Sequence, residues 1–140
     1  MGQRRNLHRI KEAAKDYNLV ITGDNIPRLS IEELGLLYHS ASLLVYASFY
    51  EGFGLPILDA FSCALPVITS NVSSMPEVGG DAALYVNPED LEDIKAKIKD
   101  ALEDKDLRES IIKKGYMQVK KFSWEKAANQ TADLYRGLMK

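Results

Sequence analysis

The sequence holds a single cysteine, Cys63, so no disulfide can close within the chain, and a reducing compartment suits it. No run approaches the roughly 20 apolar residues that cross a bilayer, and the opening residues carry neither an apolar stretch nor a signal-peptide pattern. A cytoplasmic protein is the expectation. Net charge is scarce too. The 18 basic residues are interspersed among 20 acidic ones for a formal charge of −2, so no broad field draws in nucleic acid or an anionic membrane. Several catalytic signatures are missing. The loop "GDNIPR" lacks the dinucleotide glycine pattern, no "GxxxxGK[ST]" occurs and "GxSxG" is absent, which leaves dehydrogenase, P-loop nucleotidase and α/β-hydrolase unsupported. His8, His39 and Cys63 have no ligand-like spacing, so each reads as surface or core and no metal is expected.

What is present suits one globular domain. The 140 residues are 46% hydrophobic, enough to bury a core. Leu7, Ile10, Ala14 and Tyr17 recur at helical spacing after Asn6, which reads as an N-cap. "NLVITG" then reads as a short buried strand. Ser30 and Glu33 have the spacing of a capping box, with Leu34, Leu37, Tyr38 and Ala41 as the stripe behind it. "SLLVYASF" is a continuous apolar strand without polar alternation, as expected when both faces of a parallel sheet are covered. A helix opens near Pro56.

"LPVITSN" is a further strand, Ser74, Pro76 and Glu77 mark a short helix, and "ALYVN" is the fourth strand. Asn87 before Pro88 reads as the cap of a longer helix with Leu91, Ile94, Ile98 and Leu102 inward and Lys95, Lys97 and Lys99 on a solvated face. A helix broken or bent near Gly115 follows. Ser123 caps the last one, which carries Trp124, Ala127, Thr131, Leu134 and Leu138 on one side. Strands alternating with helices predict an α/β fold, a Rossmann-like open parallel sheet with helices on both faces. In such sheets ligands bind outside the carboxyl ends of the strands.

"SFYEGFGLP", residues 48–56, lies at such an end. A helix starting near Pro56 offers unpaired donors among the amides of residues 54–58, carrying about half a positive charge from the aligned peptides. Gly52 and Gly54 remove side chains that would block a phosphate or sugar ring, and both tolerate positive φ. Glu51 can accept hydrogen bonds from hydroxyls, and Asp59, eight residues on, can hold a second hydroxyl pair. Two polyol grips flanking an anion cradle describe a nucleoside diphosphate sugar. Either glycine alone would read as a turn, and either carboxylate alone as a dipole partner; the combination after a buried strand points to a site. Tyr50 and Phe53 read equally as packing or as platform. A glycosidase acid/base pair of Glu51 and Asp59 gains little weight, since nothing identifiable faces them.

The stretch "YEGFGLPILDAFSCALPVITSNVSSMPEVGGDAALYVNPED" resembles the donor-binding half of retaining glycosyltransferases of the GT-B fold, in family 4 of that class, alongside mannosyltransferases, sucrose synthase and bacterial glycogen synthases. The likeness runs on through "FSWEKAANQTADLYRGLM", similar to the family's terminal helix, and covers roughly residue 30 to the end. It implies that Glu51 is the catalytic-site glutamate contacting donor-sugar hydroxyls. It further implies that Gly52, Phe53, Gly54 and Leu55 approach sugar and diphosphate, and that residue 59 holds the ribose. There the family has glutamate, and Asp59 is shorter by one methylene, about 1.5 Å. Arg5 matches a family lysine that neutralises the diphosphate, and Arg4 supplements it. Catalysis in the family is front-face departure of the nucleoside diphosphate, whose leaving phosphate helps deprotonate the acceptor, supported by an electrostatic cradle.

Two departures set further expectations. The family's opening strand is missing, and the crossing from "VITGDN" to "RLSIEELGLLY" is short, so one sheet position is expected to be empty. The partners implied are a nucleotide-sugar donor and an N-terminal acceptor-binding domain, in the same or a partner chain; no nucleic acid and no cofactor beyond the donor are implied. Membrane attachment, where the family has it, often belongs to the acceptor half. A chain lacking that half is expected to bind a nucleotide sugar weakly at most and to be inactive alone. The competing expectation is a catalytically inactive ligand-binding or interaction module derived from the same family.

Overall fold

The structure is a computed structural model that describes residues 6–139. Three parallel strands, β1 (Leu44–Tyr46), β2 (Val67–Ser70) and β3 (Leu84–Val86), lie in the order β1-β2-β3. Helices α1 (Leu7–Ala13) and α2 (Ile31–Ser40) precede β1, and α3 (Leu55–Ser62) connects β1 to β2. The short α4 (Met75–Gly79) and a 3₁₀ turn (Gly80–Ala82) connect β2 to β3. Then follow α5 (Leu91–Glu103), α6 (Lys105–Val119) and α7 (Trp124–Leu138). The register places Val45, Ile68 and Leu84 in one row and Tyr46, Thr69 and Tyr85 in the next.

Side chains alternate across a strand, so these rows feed two cores. Leu44, Tyr46, Val67 and Tyr85 join Ile57, Phe61, Met75 and Val78 on one face. Val45, Ile68, Leu84 and Val86 join Ile10, Ala13, Ile94 and Ile98 on the other. Helices therefore cover both faces, as the unbroken apolar strands predict. Every residue of β2 is buried, and Val67 and Ile68 each contribute about 1.5–3 kcal/mol of hydrophobic stabilisation.

The expected "NLVITG" strand is not formed. Asn25 claims the main chain a sheet would use: its Nδ2 donates to the Leu19 carbonyl at 2.6 Å and its Oδ1 accepts from the Ile21 amide at 2.7 Å. Gly23, at φ +77°, closes the turn, and one isolated bridge, Thr22 to Ile26, remains. The sheet thus has three strands among the described residues, in place of the four expected.

Local signals fare well where they are self-contained. The Ser30–Glu33 capping box forms in both directions, at 3.2 and 2.8 Å, and Ser123 caps α7 through the Lys126 amide. Lys95, Lys97 and Lys99 pair with Glu92, Asp100 and Glu103 on a solvated face of α5. Asn87 does not cap that helix. Its Oδ1 accepts from Glu89, and Asp90 is the N-cap, accepting from Glu92 and Asp93. Asn6 stands just before α1 but makes no capping bond; its side chain reaches across the sheet, as described below.

Helix α6 runs unbroken through Gly115. The glycine serves close approach: a Cβ there would lie 2.9 Å from Phe61 Cδ1, and that ring is 2% exposed. Alanine gains about 1 kcal/mol of helix propensity, yet overpacking a buried ring costs about 1–3 kcal/mol. Gly115→Ala is therefore expected to lower stability in urea unfolding. A stabilised variant would contradict the packing role.

Candidate functional site

Parallel pairing brings the carboxyl ends of all three strands to one edge. The chain leaves β1 through Ala47 and Ser48, both buried, and turns through residues 49–54 into α3. Gly54, at φ +121°, is the N-cap of α3, a conformation that side chains rarely adopt. A Cβ on Gly54 would meet Ile57 Cδ1 at 3.2 Å, whereas one on Gly52 would meet nothing within 4 Å. The two glycines thus differ. Gly54 makes the turn, and Gly52 keeps open space open.

The donors sit slightly earlier in the chain than expected. Pro56 has no amide hydrogen, and the Ile57 amide is engaged by the Gly54 carbonyl at 2.9 Å. The proline and this tight closure of the first turn together take two positions out of the expected 54–58 set. Among the described residues, no hydrogen bond within the chain engages the amides of Gly52, Phe53, Gly54 or Leu55. These four precede or begin α3, where the helix dipole favours negative charge.

Glu51 is half-buried, and its Oε1 accepts from Ser48 Oγ at 2.8 Å. Its main chain is held by the turn after β2: Ser73 Oγ and Ser74 Oγ both donate to the Glu51 carbonyl, at 2.7 and 3.0 Å. Ser74 Oγ also donates to the Phe53 carbonyl at 2.6 Å. Ser70 Oγ secures the Ser48 carbonyl. Ser73 adopts a left-handed backbone, φ +60°, uncommon for a residue with a side chain and found at turns and functional sites. The Phe53 ring meets Phe122 edge-on at 5.8 Å and is 40% exposed, so it is partly packing and partly available. Leu55 is also partly exposed.

Asp59 lies on α3, exposed, and desolvation raises its pKa. Its charge also helps raise the hydroxyl of Tyr38, pushed up to about 12 mainly by burial, so Tyr38 of α2 is near it. Arg4 and Arg5 lie outside the described residues. Asn6 is 4% exposed, and its Nδ2 donates to the Ala47 carbonyl at 3.1 Å and the Pro88 carbonyl at 2.7 Å. It ties the ends of the two outer strands together. Arg9 accompanies it, with its guanidinium 5.6 Å from the Phe49 ring centroid. Among the described residues no cluster of His, Cys, Asp or Glu could hold a metal.

Sequence reasoning missed Asn6, Ser48, Ser73 and Ser74 as parts of this site. Ser74 reads in the sequence as the start of a short helix, and it is the N-cap residue of α4, but its hydroxyl makes no capping bond; the partners of the serine pair lie 21 to 23 residues away.

Residues 1–118 match the family model described as glycosyl transferases group 1. The chain belongs to this family. Among curated proteins, this glycosyl transferase chain is 50% identical over 105 residues to O-antigen chain mannosyltransferase B of Escherichia coli. The match covers 75% of this chain and 28% of that protein. It is 34% identical over 138 residues to a serotype-specific mannosyltransferase of Escherichia coli, covering 95% of this chain and 16% of the other. Among solved structures it is similar to sucrose-phosphate synthase from Thermosynechococcus elongatus, 32% identical with a TM-score of 0.73, over 94% of this chain and 34% of that one. The chain spans under a third of the length of these two curated relatives. The parallel sheet covered on both faces is the architecture the GT-B resemblance implies.

The two loop glycines separate shape from site. Gly54→Ala is expected to cost about 1–3 kcal/mol, since it places a side chain at φ +121° against Ile57. Gly52→Ala is expected to stay within about 0.5 kcal/mol of the parent. Urea midpoints check both, and equal losses would contradict the division.

Proposed function

We propose that this chain is the donor-binding unit of a retaining hexosyltransferase, which holds a nucleoside diphosphate sugar for transfer to a saccharide or lipid acceptor. The curated relatives are named mannosyltransferases, which favours mannose as the hexose. One observation carries the reading. Among the described residues, a single loop presents four amides with no partner beside a carboxylate whose Oε1 is engaged by Ser48 and whose Oε2 has none.

Those amides and the α3 dipole fit a diphosphate. Their stabilisation would grow as charge develops on the departing phosphate, because the donors are already oriented and need no reorganisation. Glu51 would accept hydrogen bonds from the sugar hydroxyls and fix the anomeric carbon relative to that phosphate. The open space at Gly52 admits the sugar ring close to the main chain. Asp59 would hold the ribose, and hydroxyls there would give a partly desolvated carboxylate the partners it lacks. By the family resemblance Arg4 and Arg5 would neutralise the diphosphate, and Arg9 beside Phe49 would add positive charge. The reading needs no cofactor beyond the donor and places the chain in the cytoplasm. The lone cysteine suits that compartment, and among the described residues no helix is long and apolar enough to cross a membrane.

The acceptor would be held by an N-terminal domain, in the same or a partner chain. Helix α7 supports this: it has no buried residue and leaves Trp124 80%, Leu134 64% and Leu138 75% exposed, an apolar stripe suited to a neighbouring domain. The isolated chain would then bind donor without turning it over.

Calorimetric titration with GDP, GDP-mannose, UDP and UDP-glucose tests the reading. The parent chain is expected to bind one nucleotide sugar more tightly than its nucleoside diphosphate. Glu51→Ala is expected to remove that increment, about 10- to 100-fold for hydrogen bonds to a charged group, while diphosphate affinity persists. Absence of binding to all four would favour the inactive-module reading.

A further inference from the structure

The main chain of Glu51 and Phe53 is gripped by the turn after β2. The grip has a directional consequence. In a trans peptide the C=O and the following N–H lie in one plane and point opposite ways, and the described residues contain no cis peptide. The Glu51 carbonyl shares its plane with the Gly52 amide, and the Phe53 carbonyl shares its plane with the Gly54 amide. Ser74 Oγ lies 2.6 Å from the Phe53 carbonyl and 3.0 Å from the Glu51 carbonyl, and its single proton is shared between them. It therefore draws both carbonyls toward one point and turns the Gly52 and Gly54 amides to the other side, together. Ser73 Oγ, placed by its left-handed backbone, reinforces the first of these bonds at 2.7 Å. Both N–H groups then face away from the turn after β2, open to an anion on that side.

Ser48 acts on a different part of the loop. It is 2% exposed, and its hydroxyl donates at 2.8 Å to Glu51 Oε1, which fixes the carboxylate and leaves Oε2 for a ligand. Its own carbonyl is held by Ser70.

We propose that Ser74 and Ser48 are positioning residues with separate tasks: Ser74 sets the amides that receive the diphosphate, and Ser48 sets the carboxylate that selects the sugar. This rests on the donor-site reading above. Neither hydroxyl touches the ligand; each acts through the groups it orients.

Titration of the parent chain, Ser48→Ala and Ser74→Ala with a nucleoside diphosphate and its nucleotide sugar (GDP with GDP-mannose, UDP with UDP-glucose) tests the division, with thermal unfolding run on each variant. Ser48→Ala is expected to keep nucleoside diphosphate affinity within twofold and to reduce the extra affinity for the nucleotide sugar by about tenfold. Ser74→Ala is expected to weaken both ligands by the same factor, about tenfold. A general loosening of the fold would move both ligands alike in both variants, so that outcome overturns the proposal, as does no change in either variant. Failure of the parent chain to bind any nucleoside diphosphate would overturn the donor-site reading itself, and is seen before any variant is made.

Discussion

Parallel pairing of β1 with β2 is the constraint from which the rest follows. Parallel strands end at the same edge, and the register that sets Tyr46 opposite Thr69 puts the loop leaving β1 beside the turn leaving β2. Hydroxyls of that turn can then reach carbonyls more than 20 residues earlier. Asn6 adds a cross-tie, joining the ends of β1 and β3 across the central strand. If the sheet slipped by one residue, every side chain would change face and the serine hydroxyls would leave the loop. The two apolar cores hold the register, so the site's geometry is secured by burial on both faces of a three-stranded sheet.

Charge at this site is arranged locally. A formal charge of −2 spread over interspersed residues gives no long-range attraction for a phosphate, so on the proposed reading capture would come from groups at close quarters. Four amides without partners among the described residues, the start of α3 and the nearby Arg9 are such groups. A carboxylate beside an anion site is a cost in isolation, since like charges repel. Glu51 is instead held by a hydroxyl, and on the proposed reading it would accept from hydroxyls and select a polyol attached to the anion. The family match and the mannosyltransferase relatives are consistent with that chemistry.

Legibility in the sequence followed the range of the interaction. The Ser30 capping box, the Ser123 cap, the helix at Pro56 and three strands all rest on neighbours within a few residues, and they are found where the pattern places them. The "NLVITG" segment has the composition of a strand, yet Asn25, just beyond it, folds the main chain back on itself. Gly115 has the look of a helix breaker until Phe61, 54 positions earlier, is seen against it. Asn6 and Asn87 both stand near helix starts and both bond elsewhere. The candidate site residues Glu51, Gly52 and Gly54 could be picked out because they lie in one short stretch. The serines bonded to that loop could not, since a hydroxyl bonded across 21 to 23 residues leaves no periodic mark.

On the proposed reading, the amides around Gly52 and Gly54 are held outward to receive a pyrophosphate. Amide chemical shifts of the isotope-labelled chain, followed through a titration with GDP and with UDP, test it most directly. The Gly52 and Gly54 amide protons are expected to move furthest, downfield, as a charged acceptor replaces water. Shifts centred instead on Lys113, Lys114 and Lys121, which line a concavity on α6 and the turn after it, with Gly52 and Gly54 unmoved, would contradict it.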